Sequence, residues 1–381
     1  MLIDKDYIVK LYRELHQVPE IGFDLPKTLT IVKRELDAIG ISYTEKIGKS
    51  CIIATLNENI GSKTIALRAD MDALPMPEES ELAFASTHPG KMHACGHDAH
   101  TAMLLGTAKA LKAVENDIKC CVKFIFQSAE EILGGAKTIC DTGFMNQVDE
   151  IIACHISTVI TSGHIKLNRG CCCGCSRGVK LHLYGKAAHV TSPAKGIDAI
   201  EMAFRVYKDV KQLREQELDP NETIILALGT IHGGTVNNTI CDHVEMEFSL
   251  RTKDTKLNED IYNRIAQIAE GVSSEMGGSY KLETYKYVPA LINNTAVCDK
   301  IAAAVSKTIG EDKLSDKKDS LGGEDFAYYV QEKPGAMFHL GVRVTDFPHF
   351  PAHNGKMRVN EDALDVAPKV FIQYILDNMN A

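Results

Sequence analysis

Three short apolar runs, at 64–68, 120–127 and 150–154, constrain this chain most, because titratable side chains follow each of them at once. Thr64-Ile65-Ala66-Leu67-Arg68 leads to Asp70 and Asp72, the second run to Glu130-Glu131, and the third to His155. Apolar runs of this length read as strands covered on both faces. Between them lie helical patterns. Ile8, Leu11, Tyr12 and Leu15 recur at helical spacing within 4–17, and Thr28, Ile31, Val32, Leu36 and Ile39 within 26–39, with Gly40 as a stop. Residues 101–113, rich in Ala, Leu and Met, and 135–142 read as further helices. The alternation predicts an α/β fold with a central mixed sheet flanked by helices. Ligand groups in such sheets gather just past the carboxyl ends of strands, which is where the acidic residues and His155 fall.

The texture changes near Val179. Strand patterns at 179–184, 223–231, 243–250 and 279–285 alternate with helical patterns at 197–213 and 259–276, in the order βαββαβ of a ferredoxin-like unit. Ile200, Phe204, Tyr207 and Val210 share one face of the first of those helices. From Val288 onward helix and strand alternate again. The expected organisation is a discontinuous domain, 1–178 with 288–381, interrupted by an inserted domain at 179–287.

A length of 381 residues is ample for two domains. The formal charge is 42 − 51 = −9 with no basic block, which argues against nucleic acid as a partner. No apolar run approaches the roughly 20 residues needed to span a bilayer, and Met1-Leu2-Ile3-Asp4-Lys5-Asp6 is not a signal peptide. A soluble, cytoplasmic protein is expected. The twelve cysteines then read as reduced thiols filling small apolar core slots.

The densest chemistry is Lys91-Met92-His93-Ala94-Cys95-Gly96-His97-Asp98-Ala99-His100, just ahead of an apolar helix. Cys95-Gly96-His97 places a thiolate and an imidazole around a glycine that lets the chain turn, a donor pair suited to a divalent metal. A lone pair of this kind is a weak signal, and its plainer reading is a loop whose histidines cap helices or face water. Glu130-Glu131 follows a buried strand, where adjacent carboxylates are costly unless a cation receives them. Their mutual repulsion raises at least one pKa, which suits a general base. A solvated helix start is the plainer alternative. Asp70 and Asp72 are placed to orient a ligating histidine, and sequence alone leaves open which of the two does so.

Arg68-Ala69-Asp70-Met71-Asp72-Ala73-Leu74-Pro75, Met92-His93-Ala94-Cys95-Gly96-His97-Asp98, Gln127-Ser128-Ala129-Glu130-Glu131 and Gly323-Glu324-Asp325-Phe326 together resemble the amidohydrolase branch of the M20 metallopeptidase family, in order and spacing. That branch contains hippurate hydrolases, N-acetyl-diaminopimelate deacetylases, auxin-conjugate hydrolases and carboxypeptidase-like aminoacylases. The resemblance implies hydrolysis of the amide in N-acyl-amino acids. It implies a two-metal centre (zinc, manganese, cobalt or nickel) held by Cys95, His97, Glu131, His155 and His353, with the sulfur shared. Glu130 would be the general base, and Asp72 and Asp70 would orient the site. His93, Asp98 and His100 are left to turn-shaping, ligand-orienting or capping roles.

The inserted domain resembles the family's lid and dimerisation domain, carried by Gly185-Lys186-Ala187-Ala188-His189 and by Gly233-Gly234-Thr235-Val236-Asn237-Asn238. His189 would then polarise the scissile carbonyl, often that of the neighbouring subunit's site, while Arg251, Asn238 and Asn237 hold the substrate carboxylate. A homodimer or higher homo-oligomer is implied. Gly170-Cys171-Cys172-Cys173-Gly174-Cys175 departs from the family pattern, as does Ile156-Ser157-Thr158-Val159. Two rival functions stand beside the main reading: a dipeptidase or carboxypeptidase on the same scaffold, and a non-catalytic metal- or thiol-binding protein using the cysteine cluster.

Overall fold

A computed structural model describes residues 3–219, 221–315 and 321–380. In chain order the elements are α1 (Lys5–His16), α2 (Pro26–Ile39), β1 (Ser42–Thr44), β2 (Ile52–Leu56), β3 (Thr64–Asp70) and α3 (His97–Lys112). Then come β4 (Cys121–Gln127), α4 (Gly135–Cys140), β5 (Glu150–Thr161), β6 (Ile165–Leu167), β7 (Gly170–Cys173), β8 (Cys175–Tyr184) and β9 (Ala188–His189). They are followed by α5 (Ala199–Gln212), β10 (Ile224–Gly233), β11 (Thr239–Ile240), β12 (His243–Thr252), α6 (Thr255–Met276) and β13 (Ser279–Val288). The chain closes with β14 (Leu291–Asn293), α7 (Thr295–Thr308), β15 (Leu314–Ser315), α8 (Ala327–Glu332), β16 (Gly335–Arg343) and α9 (Val366–Asn378). Two compact units result: Met1–Cys172 with Leu291–Asp319 and Asp325–Ala381, and Cys173–Ala290 with Ser320–Glu324.

The first unit is built on an eight-stranded mixed sheet in the order β1-β2-β4-β3-β5-β16-β6-β15. The central β4, β3, β5 and β16 run parallel, and β1, β2 and β6 pair antiparallel. Helix formation follows local signals. Asp4 caps α1 by accepting from the Tyr7 N–H, Pro26 opens α2, and Gly40 closes it at φ 78°. α1 and α2 each bury one apolar stripe, whereas α3 is buried on almost every side, as its Ala- and Leu-rich sequence allows. Phe124, Phe126, Ile152, Phe338, Leu104 and Leu105 anchor this core.

One strand is longer than its pattern. The apolar run ends at Cys154, but β5 continues to Thr161 because β16 pairs with it residue by residue from Ile151 to Ser157. β3 meanwhile ends at Asp70, and its pairing with β5 stops at Arg68–Ala153. His155 therefore lies inside a strand, beyond the point where its pairing with β3 has stopped, rather than past a strand end.

The second unit is a four-stranded antiparallel sheet in the order β10-β12-β8-β13. α5 and α6 pack on one face, over Leu181, Leu183, Met246 and Phe248. The helix face read from sequence needs correcting. α5 turns Met202, Ala203, Val206 and Val210 inward, and leaves Ile200, Phe204 and Tyr207 exposed, Phe204 by 64%. The helix is apolar on two sides, so periodicity alone does not select which side packs.

Eleven of the twelve cysteines are buried and Cys171 is partly so, which suits thiols filling core slots. Among the described residues no helix is long and apolar enough to cross a membrane.

Candidate metal centre

Backbone pairing assembles the site in the first unit. Leu74 and Met92 exchange both main-chain hydrogen bonds, at 3.0 and 3.1 Å, which lays the Asp70-Met71-Asp72 turn against the loop bearing Cys95. Gly96 starts α3 at φ 88°, and a Cβ there would meet Ile156 Cδ1 at 2.1 Å, so glycine alone lets the loop turn this close to β5. Cys95 Sγ then stands 3.5 Å from His155 Nε2. The His353 N–H donates to Ala94 O at 2.7 Å, and its Nε2 lies 3.5 Å from Glu131 Oε1.

Asp72 holds the glutamate pair. One of its oxygens accepts the Glu130 N–H at 2.9 Å and the other the Glu131 N–H at 3.1 Å. Asp70 instead faces Arg68 at 2.7 Å and His100 Nδ1 at 2.5 Å. The turn carrying the glutamates is strained. Ala129 and Leu133 both have φ 58°, and His353 has φ 63°, a conformation non-glycine residues adopt at a cost.

His97 is the centre of the cluster. Its Nδ1 is 3.5 Å from Asp72, and its Nε2 is 3.7 Å from Asp70, 3.8 Å from Glu131 and 4.0 Å from Glu130. The ring is fully buried, yet neither nitrogen has a hydrogen-bond partner. Such a group is expensive to bury alone, and a cation among these donors would relieve it. Donor atoms of Cys95, His97 and His155 lie within 4.8 Å of one another, as do those of Cys95, Glu131 and His353. One thiol, three imidazoles and a carboxylate form a set that fits divalent transition ions. No such grouping among the described residues includes Cys171, Cys172, Cys173 or Cys175.

The electrostatics follow from burial and proximity. Burial opposes charge on His97, but Asp70, Cys95 and Asp72 outweigh it and hold its pKa well above the usual imidazole value. Burial likewise opposes the Asp70 carboxylate, yet His97, Arg68 and His100 drive its pKa well below the usual range. For Cys95 burial dominates and pushes the thiol pKa up. Burial, helped by His100, keeps His155 neutral.

A buried polar network underneath has no counterpart in the sequence reading. Arg68 Nε donates to Gln127 Oε1 at 2.9 Å and its Nη2 to Asp325 at 2.8 Å. Gln127 Nε2 and the Ala136 N–H also donate to Asp325, each at 2.9 Å, and the Tyr329 hydroxyl donates to Gln127 at 3.0 Å. An arginine and a glutamine inside apolar strands were the available signal, since neither is buried without partners.

The remaining candidates belong to the second unit. His189, in β9, pairs with Thr239 of β11, and the Val190 N–H donates to Asn238 O at 3.2 Å, so His189, Asn237 and Asn238 form one exposed corner. Arg251 lies at the far end of β12 and donates to Leu321 O at 2.8 Å. Seven residues separate it from Val244, which faces Gly233, and at strand rise that is about 23 Å. The structure does not bring Arg251 together with His189 and the asparagines.

The chain is 33% identical over 368 residues to thermostable carboxypeptidase 2 of Saccharolobus solfataricus, covering 94% of this chain and 92% of that one. It is 30% identical over 367 residues to N-acetylcysteine deacetylase of Bacillus subtilis, with coverages of 96% and 95%. Among solved structures, YXEP of Bacillus subtilis, a dinuclear metal-binding peptidase, matches with a TM-score of 0.84 at 28% identity over 98% of each chain. The sequence profile of peptidase family M20/M25/M40 fits residues 66–377, and the chain belongs to that family.

Proposed function

We propose that this protein is a two-metal hydrolase that cleaves the amide bond of N-acyl-amino acids. The observation that carries the proposal is the doubled grouping around Cys95, one triplet with His97 and His155 and one with Glu131 and His353. The first triplet would hold one ion and the second the other, with the sulfur common to both. Two ions held there would supply polarisation of an amide carbonyl and a lowered pKa for water. Glu130 takes the proton of the attacking water and returns it to the leaving amine. Asp72 keeps that base in place through the two main-chain N–H groups it accepts. The deacetylase relative supports a small acyl group, and the carboxypeptidase relative supports a peptide-like acyl half as the second reading.

In this proposal the second unit supplies the substrate's surroundings. His189 stabilises the oxyanion, and Asn237, Asn238 and Arg251 anchor the carboxylate. Arg251 sits at the end of β12 about 23 Å along the strand from Val244, and a homodimer in which the His189 corner serves the partner's site would let both act on one substrate. Ile200, Phe204 and Tyr207 offer exposed apolar side chains on one face of α5 for such pairing. Lid and dimerisation roles for this unit, and a cytoplasmic setting, belong to the same proposal.

The test is a screen of acetyl-, benzoyl- and aminoacyl-amino acids on metal-reconstituted protein, with metal content measured in parallel. Two ions per chain and release of free amino acid are expected. Hydrolysis of aminoacyl substrates alone would select the peptidase reading, and no hydrolysis with two ions bound would defeat both.

A further inference from the structure

We propose that His100 is a positioning residue, standing in for a missing strand partner of β5 and thereby fixing the direction and tautomer of His155. The inference rests on the metal-site reading above, in which His155 is a ligand.

β5 has strand neighbours on both sides only as far as Ala153, where its pairing with β3 ends. Two residues beyond His155's predecessor, at Ile156, the main chain on that side meets a side chain. The Ile156 N–H donates to His100 Nε2 at 2.8 Å, and the Ile156 carbonyl accepts from His155 Nδ1 at 2.7 Å. One residue's backbone thus connects the two imidazoles. An unpaired buried N–H at this point would be costly, so the side chain replaces a bond the sheet no longer supplies.

The protons are determined by the partners. The Ile156 main-chain N–H can only donate, so the His100 nitrogen it meets is bare, and Nδ1, 2.5 Å from an Asp70 oxygen, carries the hydrogen. His100 Nε2 then keeps its lone pair and accepts from Ile156. His155 Nδ1 donates to a carbonyl, so its Nε2 is left bare, 3.5 Å from Cys95 Sγ. A metal-ligating histidine needs this tautomer, and the hydrogen bond on its other nitrogen normally sets it. The His100 ring also stands edge-on to His155, with centroids 4.7 Å apart, which blocks rotation of the ligand.

α3 explains why one short stretch does both jobs. His97 and His100 are three residues apart on one helix face, with ring centroids 5.4 Å apart. The first turn of α3 presents one candidate ligand directly and steadies another through β5.

Two substitutions separate the two hydrogen bonds of His100. His100→Asn keeps a donor near the Nδ1 position for Asp70 and loses the acceptor for Ile156. His100→Gln keeps an acceptor near the Nε2 position and loses the donor. We would measure hydrogen exchange of the segment containing Ile156 in metal-free protein, and zinc and cobalt affinity with the cobalt visible spectrum. In His100→Asn, exchange at Ile156 should rise at least about tenfold, and affinity for one of two ions should fall by about 10–100-fold with an altered spectrum. His100→Gln should stay within about threefold of the unsubstituted protein on both readouts. Equal losses in the two variants, or no change in His100→Asn, overturn the inference. If His100→Asn does not fold by circular dichroism, His100→Gln decides alone, and failure to fold or to bind both ions there overturns it. An unsubstituted chain that binds no divalent ion defeats the functional proposal as well, and this is seen before any variant is made.

Discussion

In the first unit Asp70, Asp72, His97 and Glu130 are buried, and the acids around them are held by Arg68, His100 or main-chain N–H groups. In the second, His189, Asn237 and Asn238 project from an exposed corner, with Thr191 Oγ1 at 2.9 Å from His189 Nδ1. Both regions are proposed to act on the same substrate, and they are built to different standards of rigidity. Ligands and a base must keep fixed distances, which needs locked side chains. Groups that close over a substrate must move, and they come from parts with few buried contacts. Removing one of those holding partners in the first unit should therefore cost both stability and chemistry, whereas substitutions in the second unit should cost chemistry alone.

Glu130→Gln should cause the largest loss of turnover, about a thousandfold, with both ions still bound, because it removes the proton acceptor at nearly unchanged side-chain size. Kinetics and metal analysis on one preparation check this, and near-normal turnover would break the mechanism. Arg68→Met tests the rigid side directly. It leaves Asp70 and Asp325 facing each other across a buried space, and removing one partner of such a pair typically costs about 3–5 kcal/mol. A urea midpoint that hardly moves would show that the network is not what holds the site.

The next effect is a pH dependence. His16 is buried between Asp98, at 2.6 Å, and Glu78, at 3.0 Å. Burial disfavours its charge, but the hydrogen bonds to those two carboxylates win and raise its pKa from 6.5 to about 9. A pKa raised on folding means the folded state holds the proton more tightly. The contribution is full below about pH 6.5 and is lost as pH rises through about 9, on the order of 3 kcal/mol in all. Urea midpoints measured from pH 6 to 10 should fall through that window, and His16→Gln should flatten the slope.

What could be read from sequence divides along similar lines. Asp70, Asp72, Glu130, Glu131 and His155 stand out in the sequence because each follows an apolar run, an arrangement local enough to see, whereas grouping them with Cys95, His97 and His353 comes from the family resemblance. Arg68 and Asp325 meet across 257 residues of sequence, so their pairing is not a local signal. The extension of β5 past Cys154 depends on β16, which no local pattern announces. His100 looks like one more polar residue at a helix start until β3 is seen to end early. On α5, both apolar faces satisfy helical spacing, and only the sheet beneath decides which one is buried.

The smallest expected effect is the most informative about the exposed corner of the second unit. If the His189 corner serves the partner's site, Glu130→Gln and His189→Ala inactivate different halves of each site. Unfolding and refolding the two variants together at equal concentration gives heterodimers in half of the population. In each heterodimer one site combines an intact Glu130 with an intact His189, and the other has neither, so about a quarter of the wild-type sites should be active. If His189 served its own chain, every site would lack one group and the mixture would only average its parents. His189→Ala alone should change stability by no more than about 0.5 kcal/mol, since the side chain is exposed. A large loss of stability in that variant would erase the contrast between the units, because the corner would then be structural rather than free to close over substrate.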